Sequence, residues 1–340
     1  MPKVLVSDPI SEAGIEILRK IPNTQVDVKL GLKPDELKAI IGDYDALAVR
    51  SETKVTADIL ASASKLQIIG RAGVGVDNID VNAATQRGVV VVNSPEGNTL
   101  AAAELAVALL LALSRKIPQA DASLRAGKWE RKKFVGTEIY GKTVGVIGLG
   151  KIGRSVAQRM KSFETNIVAF DPFATEEGAR RIGAELVTLD ALLERSDFIT
   201  IHVPLNNATR GMIGAAQIAI MKDGVRIINC ARGGIVDEAA LAEAIQSGKV
   251  GGAAFDVFSK EPPEADNPLL SLSQNVITPH LGASTEEAQV NIGREVASTL
   301  IRFSQTGSTL RSVNFPQVDV PLERGNTRLT NVHKNVKGVL

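Results

Sequence analysis

Three histidines occur in the sequence: His202, His280 and His333. An imidazole exchanges protons near neutral pH, which suits a base that takes the hydroxyl proton of an alcohol as a hydride leaves. His280 stands in Thr278-Pro279-His280-Leu281-Gly282-Ala283, a turn after a strand-like run at 275–278. Sites of α/β proteins are built from such loops, although a turn histidine bonded only to its own loop fits the same position. His202 lies within a strand-like run and reads as structural or cofactor-adjacent, and His333 lies in a polar tail. Arg232 opens Arg232-Gly233-Gly234 after another strand-like run. Its planar, permanently charged fork suits a carboxylate and a polarised carbonyl, but a surface arginine beside a glycine turn has the same pattern. Glu261, in Lys260-Glu261-Pro262-Pro263, would orient a neighbouring imidazole and favour its charged form. Taken alone, a glutamate before two prolines reads as an exposed loop residue.

A second constellation is Gly148-Leu149-Gly150-Lys151-Ile152-Gly153, which follows a strand-like run and opens a helical one. The first glycine permits the tight turn, the second lets backbone approach a pyrophosphate, and the third lets helix and strand pack closely. The helix N-terminus then offers unpaired N–H groups and partial positive charge to phosphates. Asp171 follows at the end of the next strand-like run, where a carboxylate binds ribose hydroxyls and repels a 2′-phosphate. The pattern therefore points to NAD rather than NADP. A cluster of turn glycines plus a strand-capping aspartate is the bland alternative. Cys230, at a strand end with no basic partner nearby in sequence, reads as a small buried hydrophobe rather than a nucleophile.

The elements that must position these groups alternate along the chain. Strand-like runs at 3–7, 24–28, 46–49, 67–69 and 89–92 are separated by helical stretches at 11–21, 34–41, 57–63 and 81–87. After an Ala/Leu-rich helix at 100–113, a second series has strands at 143–147, 166–170, 198–202, 226–229 and 252–256, with helices at 152–162, 189–194 and 238–247. Such alternation predicts α/β architecture with two doubly wound parallel-sheet domains. A periodic helix at 285–303 could return to the first unit and make it discontinuous.

The chain has 340 residues, 44% of them hydrophobic, enough for two domains with cores. Its 39 basic and 38 acidic residues give a net charge of +1, which offers no electrostatic case for nucleic acid or an anionic membrane as the main partner. The 100–113 stretch contains Glu104 and is too short for a bilayer span of about 20 residues. No signal-peptide pattern is seen at the start, and a single cysteine excludes an internal disulfide, so a reducing cytoplasm is expected. No metal is expected.

Three segments together resemble the D-2-hydroxyacid dehydrogenase family: the glycine turn with Asp171; 221–241, especially Asn229-Cys230-Ala231-Arg232-Gly233-Gly234-Ile235-Val236-Asp237; and 255–261 with Pro279-His280. The resemblance covers about residues 1–315. It implies a Rossmann cofactor domain inserted in a flavodoxin-like substrate domain, with substrate domain at 1–96 and 284–304, NAD-binding domain at 97–283 and a tail at 305–340. It implies Arg232, Glu261 and His280 as the catalytic set. Cofactor contacts are implied from Gly148, Gly150, Lys151, Ile152, Gly153, Asp171, Pro172, His202, Pro204, Thr209, Cys230, Ala231, Asp256, Gly282 and Ala283.

Within the family, Val49-Arg50-Ser51, Arg71 through Asn78, and Gly127 through Phe134 resemble the branch that oxidises D-3-phosphoglycerate to 3-phosphohydroxypyruvate, the first step of serine biosynthesis. That branch implies Arg50 and Ser51 at the substrate phosphate, Val74 and Gly75 amides at the carboxylate, and Asn98 and Thr99 near the nicotinamide. Trp129 and the basic run Arg131–Lys133 read either as a packed aromatic with a solvated charge run, or, by the resemblance, as an exchanged arm. The arm implies a homodimer or homotetramer through the 100–140 region. Segments 313–316 and 328–335 resemble the entry to an ACT regulatory domain, which the remaining length would leave incomplete, so that feedback by serine is in doubt. Two rival readings share the scaffold: a hydroxypyruvate or glyoxylate reductase, and a dinucleotide-responsive corepressor-like binding protein.

Overall fold

The computed structural model describes residues 2–321. Of the described residues, 2–98 together with 285–321 form one unit, and Thr99–Ser284 form a second. The expected ACT-like segment at 328–335 and His333 lie outside the described residues.

In the first unit, strands β1 (Lys3–Val6), β2 (Gln25–Val28), β3 (Ala46–Val49), β4 (Ile68–Arg71) and β5 (Val90–Val92) form a parallel sheet in the order β2-β1-β3-β4-β5. Helices α1 (Glu12–Arg19), α2 (Pro34–Ile40), α3 (Ala57–Ser62) and α4 (Val81–Gln86) connect them. Strand β3 reads Ala-Leu-Ala-Val and is buried along its whole length, as expected of a parallel strand covered on both faces. Leu5, Leu47, Ile69 and Val91 form part of one core. The strand order reverses between β1 and β3, and the crevice beyond the C-terminal ends of such a pair is where open α/β sheets bind ligands.

The second unit opens with α5 (Thr99–Arg115) and α6 (Ile117–Arg125). Its sheet contains β6 (Thr143–Ile147), β7 (Asn166–Phe170), β8 (Ala184–Leu186), β9 (Phe198–Ile201), β10 (Val225–Asn229), β11 (Val250–Phe255) and β12 (Val276–Ile277), all parallel, in the order β12-β11-β10-β9-β6-β7-β8. Helices α7 (Lys151–Lys161), α8 (Glu176–Arg181), α9 (Leu189–Arg195), α10 (Ala215–Ile220) and α11 (Glu238–Gln246) complete the winding. Both faces are covered. Ile199 and Ile201 of β9 enter one core cluster while Phe198 enters the other, and Ile227 and Ile228 of β10 divide in the same way. The switch in strand order falls between β6 and β9.

A last helix, α12 (Glu286–Thr306), packs on α1 of the first unit. Thr285 caps it through Oγ1, which accepts from the Ala288 amide at 3.1 Å. The following segment runs beside β5, where Asn314 Oδ1 accepts from the Val91 amide at 2.9 Å and Val92 bridges Ser312. Four elements escaped the sequence pattern: α6, α8, α10 and β8. Three are helices of six to nine residues and β8 is a three-residue edge strand.

Candidate active site

Strands β10, β11 and β12 are consecutive neighbours in the sheet, so the loops leaving their C-terminal ends lie side by side. Arg232 is three residues beyond β10, Glu261 six beyond β11 and His280 three beyond β12. His280 Nδ1 is 2.7 Å from Glu261 Oε2. A carboxylate only accepts, so this contact keeps the proton on Nδ1 and leaves the Nε2 lone pair for another partner. Nε2 has no partner among the described residues. Glu261 Oε1 accepts from the Phe258 amide at 3.1 Å, so both carboxylate oxygens are engaged. Burial alone would raise the Glu261 carboxyl. The hydrogen bond and charge of His280, the Phe258 amide and the charge of Arg232 together bring it below the ordinary value. Arg232 thus acts electrostatically on the pair. A cavity of about 440 Å³ opens beside it, walled largely by Phe258, Pro262, Leu270, Ile277 and Pro279.

Buried polar groups shape these loops from beneath. Asp256 is fully buried. Its Oδ1 accepts from Thr278 Oγ1 at 2.6 Å and the Leu281 amide at 2.7 Å, and its Oδ2 from the Gly282 amide at 2.9 Å. Burial raises its carboxyl above the usual range, against the opposing effect of these donors and of the His280 charge. The Asp256 carbonyl also accepts the His280 amide at 2.9 Å. His280 itself has φ 55°, in the left-handed region that few non-glycine residues occupy; the surrounding bonds hold it there. Asn229, also fully buried, accepts the Ala231 amide through Oδ1 at 3.0 Å and donates Nδ2 to the Arg232 carbonyl at 2.9 Å. Gly233 lets this turn touch the Glu261 loop, because a Cβ there would lie 1.9 Å from the Phe258 carbonyl oxygen.

The glycine turn occupies the switch point of the same sheet. Gly148 has φ 95°, and a Cβ on it would lie 2.8 Å from the His202 carbonyl oxygen. A Cβ on Gly153 would lie 1.9 Å from the Gly148 carbonyl oxygen, whereas one on Gly150 meets nothing within 4 Å. The first and third glycines therefore serve the protein's own packing, and the second leaves room over the first turn of α7. Asp171 joins the turn from β7: Oδ2 accepts the Leu149 amide at 2.7 Å and Oδ1 the Phe173 amide at 2.8 Å. These features fit a dinucleotide, with the phosphates at the α7 N-terminus and the ribose at Asp171. Thr209 closes the nearby loop by donating Oγ1 to the Pro204 carbonyl at 2.6 Å. His202 is held down to a pKa of about 4 by burial, with Nε2 2.8 Å from Thr200 Oγ1, so it is neutral near pH 7. Burial, and to a lesser degree the Asp256 charge, push the Cys230 thiol well up, away from the thiolate.

The remaining site residues expected from the sequence lie in or at the edge of the first unit. Arg50 and Ser51 follow β3, at the switch point of that sheet, and neither the Arg50 guanidinium nor the Ser51 amide has a partner among the described residues. The Val74 and Gly75 amides are likewise without partners there, while the Val74 carbonyl accepts Asn93 Nδ2 at 2.6 Å. Asn98 carries a buried side-chain oxygen without a partner among the described residues, and Thr99 begins α5. Arg71, which opens the quoted string at 71–78 but was assigned no role there, crosses this loop: its Nη1 lies 1.6 Å from where a Cβ on Gly73 would stand. Its place at the end of β4, two residues before a glycine, was the available signal.

Residues 107–282 match the D-isomer specific 2-hydroxyacid dehydrogenase, NAD binding domain, family, and the chain belongs to that family. A solved Thermus thermophilus structure is 30% identical, covers 92% of this chain and 99% of its own, and superposes with a TM-score of 0.83. Among named relatives, the D-3-phosphoglycerate dehydrogenase of Archaeoglobus fulgidus is 55% identical over 317 residues, 93% of this chain and 60% of that protein. The Synechocystis protein of the same name is 54% identical over 93% of this chain and 56% of its own. The chain thus spans roughly three fifths of the length of these relatives. No helix among the described residues is long and apolar enough to cross a membrane.

Proposed function

We propose that the chain catalyses NAD-dependent oxidation of D-3-phosphoglycerate to 3-phosphohydroxypyruvate, the opening reaction of serine synthesis. The observation that carries this reading is the His280–Glu261 contact of 2.7 Å, which leaves Nε2 of the ring without a partner among the described residues. Similarity to D-3-phosphoglycerate dehydrogenases over 93% of the chain supports the choice of substrate. When bound, NAD accepts the hydride from C2 of the substrate. His280 Nε2 takes the C2 hydroxyl proton. Glu261 holds the ring in the required tautomer and stabilises the imidazolium that results. Arg232 pairs with the substrate carboxylate and steadies the developing carbonyl oxygen. Arg50 and Ser51 receive the phosphate, the Val74 and Gly75 amides the carboxylate, and Asn98 and Thr99 lie near the nicotinamide. The residues from 99 to 284 serve as cofactor domain and the rest of the described chain as substrate domain.

We also infer a homo-oligomer, a dimer or tetramer, through residues 100–140. Helix α6 buries none of its residues, and Ile117, Leu124, Trp129 and Val135 are 54%, 57%, 77% and 73% exposed, an apolar surface that a second copy would cover. The single cysteine fits work in a reducing cytoplasm. The testing assay is NADH formation from D-3-phosphoglycerate against a panel of unphosphorylated D-2-hydroxy acids. Preference for the phosphorylated acid is expected. A higher kcat/KM for glycerate or glycolate would point to a reductase instead, and no turnover of any acid to a binding protein on this scaffold.

A further inference from the structure

The loop proposed to receive the phosphate is gripped at both ends by two side chains: Asp8, which no sequence motif marked, and Asn78, which closes the string at 71–78 without a role assigned to it there. Asp8 follows β1 and is 1% exposed. Its Oδ2 accepts the Arg50 amide at 2.6 Å, its Oδ1 accepts the Thr53 amide at 3.0 Å, and Oδ1 also accepts the Thr53 hydroxyl. Asn78 grips the same two residues from their carbonyls, with Nδ2 donating to Arg50 at 2.9 Å and to Thr53 at 2.7 Å. One carboxylate thus takes both terminal N–H groups of the 50–53 loop, and one amide group donates both its protons to the terminal C=O groups. The two intervening amides, of Ser51 and Glu52, have no partner among the described residues, nor has the Arg50 guanidinium.

The location follows from the sheet. Asp8 leaves β1 and Arg50 leaves β3, the two strands between which the order reverses. A buried carboxylate is costly unless donors satisfy it, and here the loop supplies them, so loop shape and Asp8 charge are satisfied together. We propose that Asp8 and Asn78 are positioning residues that set selectivity for a phosphate monoester by fixing both ends of the 50–53 loop, so that the Ser51 and Glu52 amides and the Arg50 guanidinium face the phosphate as one preformed group. The proposal rests on the reading that this loop receives the substrate phosphate. Neither side chain touches substrate; their effect passes through the loop.

The test uses isosteric exchanges that reverse donor and acceptor. Asp8→Asn turns an amide group toward the two loop amides, and Asn78→Asp removes both donated protons. Both should raise KM for D-3-phosphoglycerate about tenfold or more, the effect of losing hydrogen bonds to a charged group. They should leave kcat, the affinity for NADH and KM for unphosphorylated D-glycerate within about threefold. Thr53→Ser, which keeps the hydroxyl, should behave as the parent, and Thr53→Val should show a smaller rise in KM. Should Asp8→Asn not fold, Asn78→Asp and Thr53→Val carry the test. Unchanged KM for the phosphorylated acid in the folded variants, or an equal loss for both acids, overturns the proposal. Inorganic phosphate separates this outcome from failure of the parent reading. If the parent chain does not oxidise D-3-phosphoglycerate but phosphate raises its Tm, and Asn78→Asp abolishes that rise, the functional reading fails and the clasp stands. If phosphate raises Tm equally in parent and variants, the clasp fails.

Discussion

At the switch point of the second unit, Gly148 stands against the His202 carbonyl, and any side chain there would collide with it. At the switch point of the first, a full carboxylate, Asp8, occupies the equivalent place after the first strand and is enclosed by the loop it holds. Both lie where the order of a parallel sheet reverses, the usual ligand crevice of such folds. One crevice is made by removing side chains, which clears space over a helix N-terminus. The other is made by burying a charge that draws backbone amides inward and leaves their neighbours without partners. The chemical groups differ in the same sense. His280, Glu261 and Arg232 are coupled to one another, whereas the Arg50 guanidinium has no partner among the described residues. On the proposed reading, the first set must keep a fixed protonation state before substrate arrives, and Arg50 must keep its donors free for a phosphate.

His280→Ala should lower kcat by about 10³-fold, within the usual span of general base catalysis, with the NADH dissociation constant changed by no more than about twofold; steady-state rates and NADH fluorescence titration measure both. Near-native turnover in that variant would reject the assignment of the base. Gly153→Ala should come next. Its Cβ would lie 1.9 Å from the Gly148 carbonyl oxygen, so the helix must retreat at a cost of roughly 2 kcal/mol. Both the denaturant midpoint and NADH affinity should fall, while an unaltered NADH affinity would separate α7 packing from cofactor binding.

The smallest effect concerns His202. Its folded pKa of about 4 lies below the ordinary 6.5, so between those values the unfolded chain binds the extra proton. Stability is therefore untouched above that window and falls as pH drops through it, by about 1 kcal/mol at pH 5.5. Denaturant unfolding of the parent and of His202→Gln at pH 7.5 and 5.5 should show that difference; parallel losses would mean the ring is not held neutral by burial. The Glu261 carboxyl is also depressed from its ordinary value. Its depressed value means its contribution is present above the ordinary carboxylate range and is lost only as pH falls through the lowered value.

How much of this could be read from the chain depended on the distance over which each group is satisfied. The glycine turn is a local pattern, and its spacing from Asp171 is set by one helix and one strand, so both are visible in sequence. His280, Glu261 and Arg232 were visible as residue types in loops after strands, but their meeting depends on β10, β11 and β12 being neighbours. Asp8 was invisible, because its partners stand 42 to 45 positions away and nothing in Ser7-Asp8-Pro9 shows that the carboxylate folds inward; Asn78 stood in the quoted string at 71–78, but its reach to Thr53, 25 positions back, could not be read there. Asn229 and Asp256 gave only part of their meaning. Both lie in quoted family segments, yet their donors and acceptors are loop backbone atoms that no residue pattern encodes.

If the first unit reads the phosphate and the second performs the chemistry, as proposed, the ratio of kcat/KM for D-3-phosphoglycerate to that for D-glycerate must differ between the parent and Arg50→Ala. Loss of the guanidinium should reduce that ratio about 100-fold, roughly 3 kcal/mol as for a charge-assisted contact, with the fall confined to the phosphorylated acid. An equal decline for both acids, or a ratio that stays where it was, would contradict the division of labour between the two switch points.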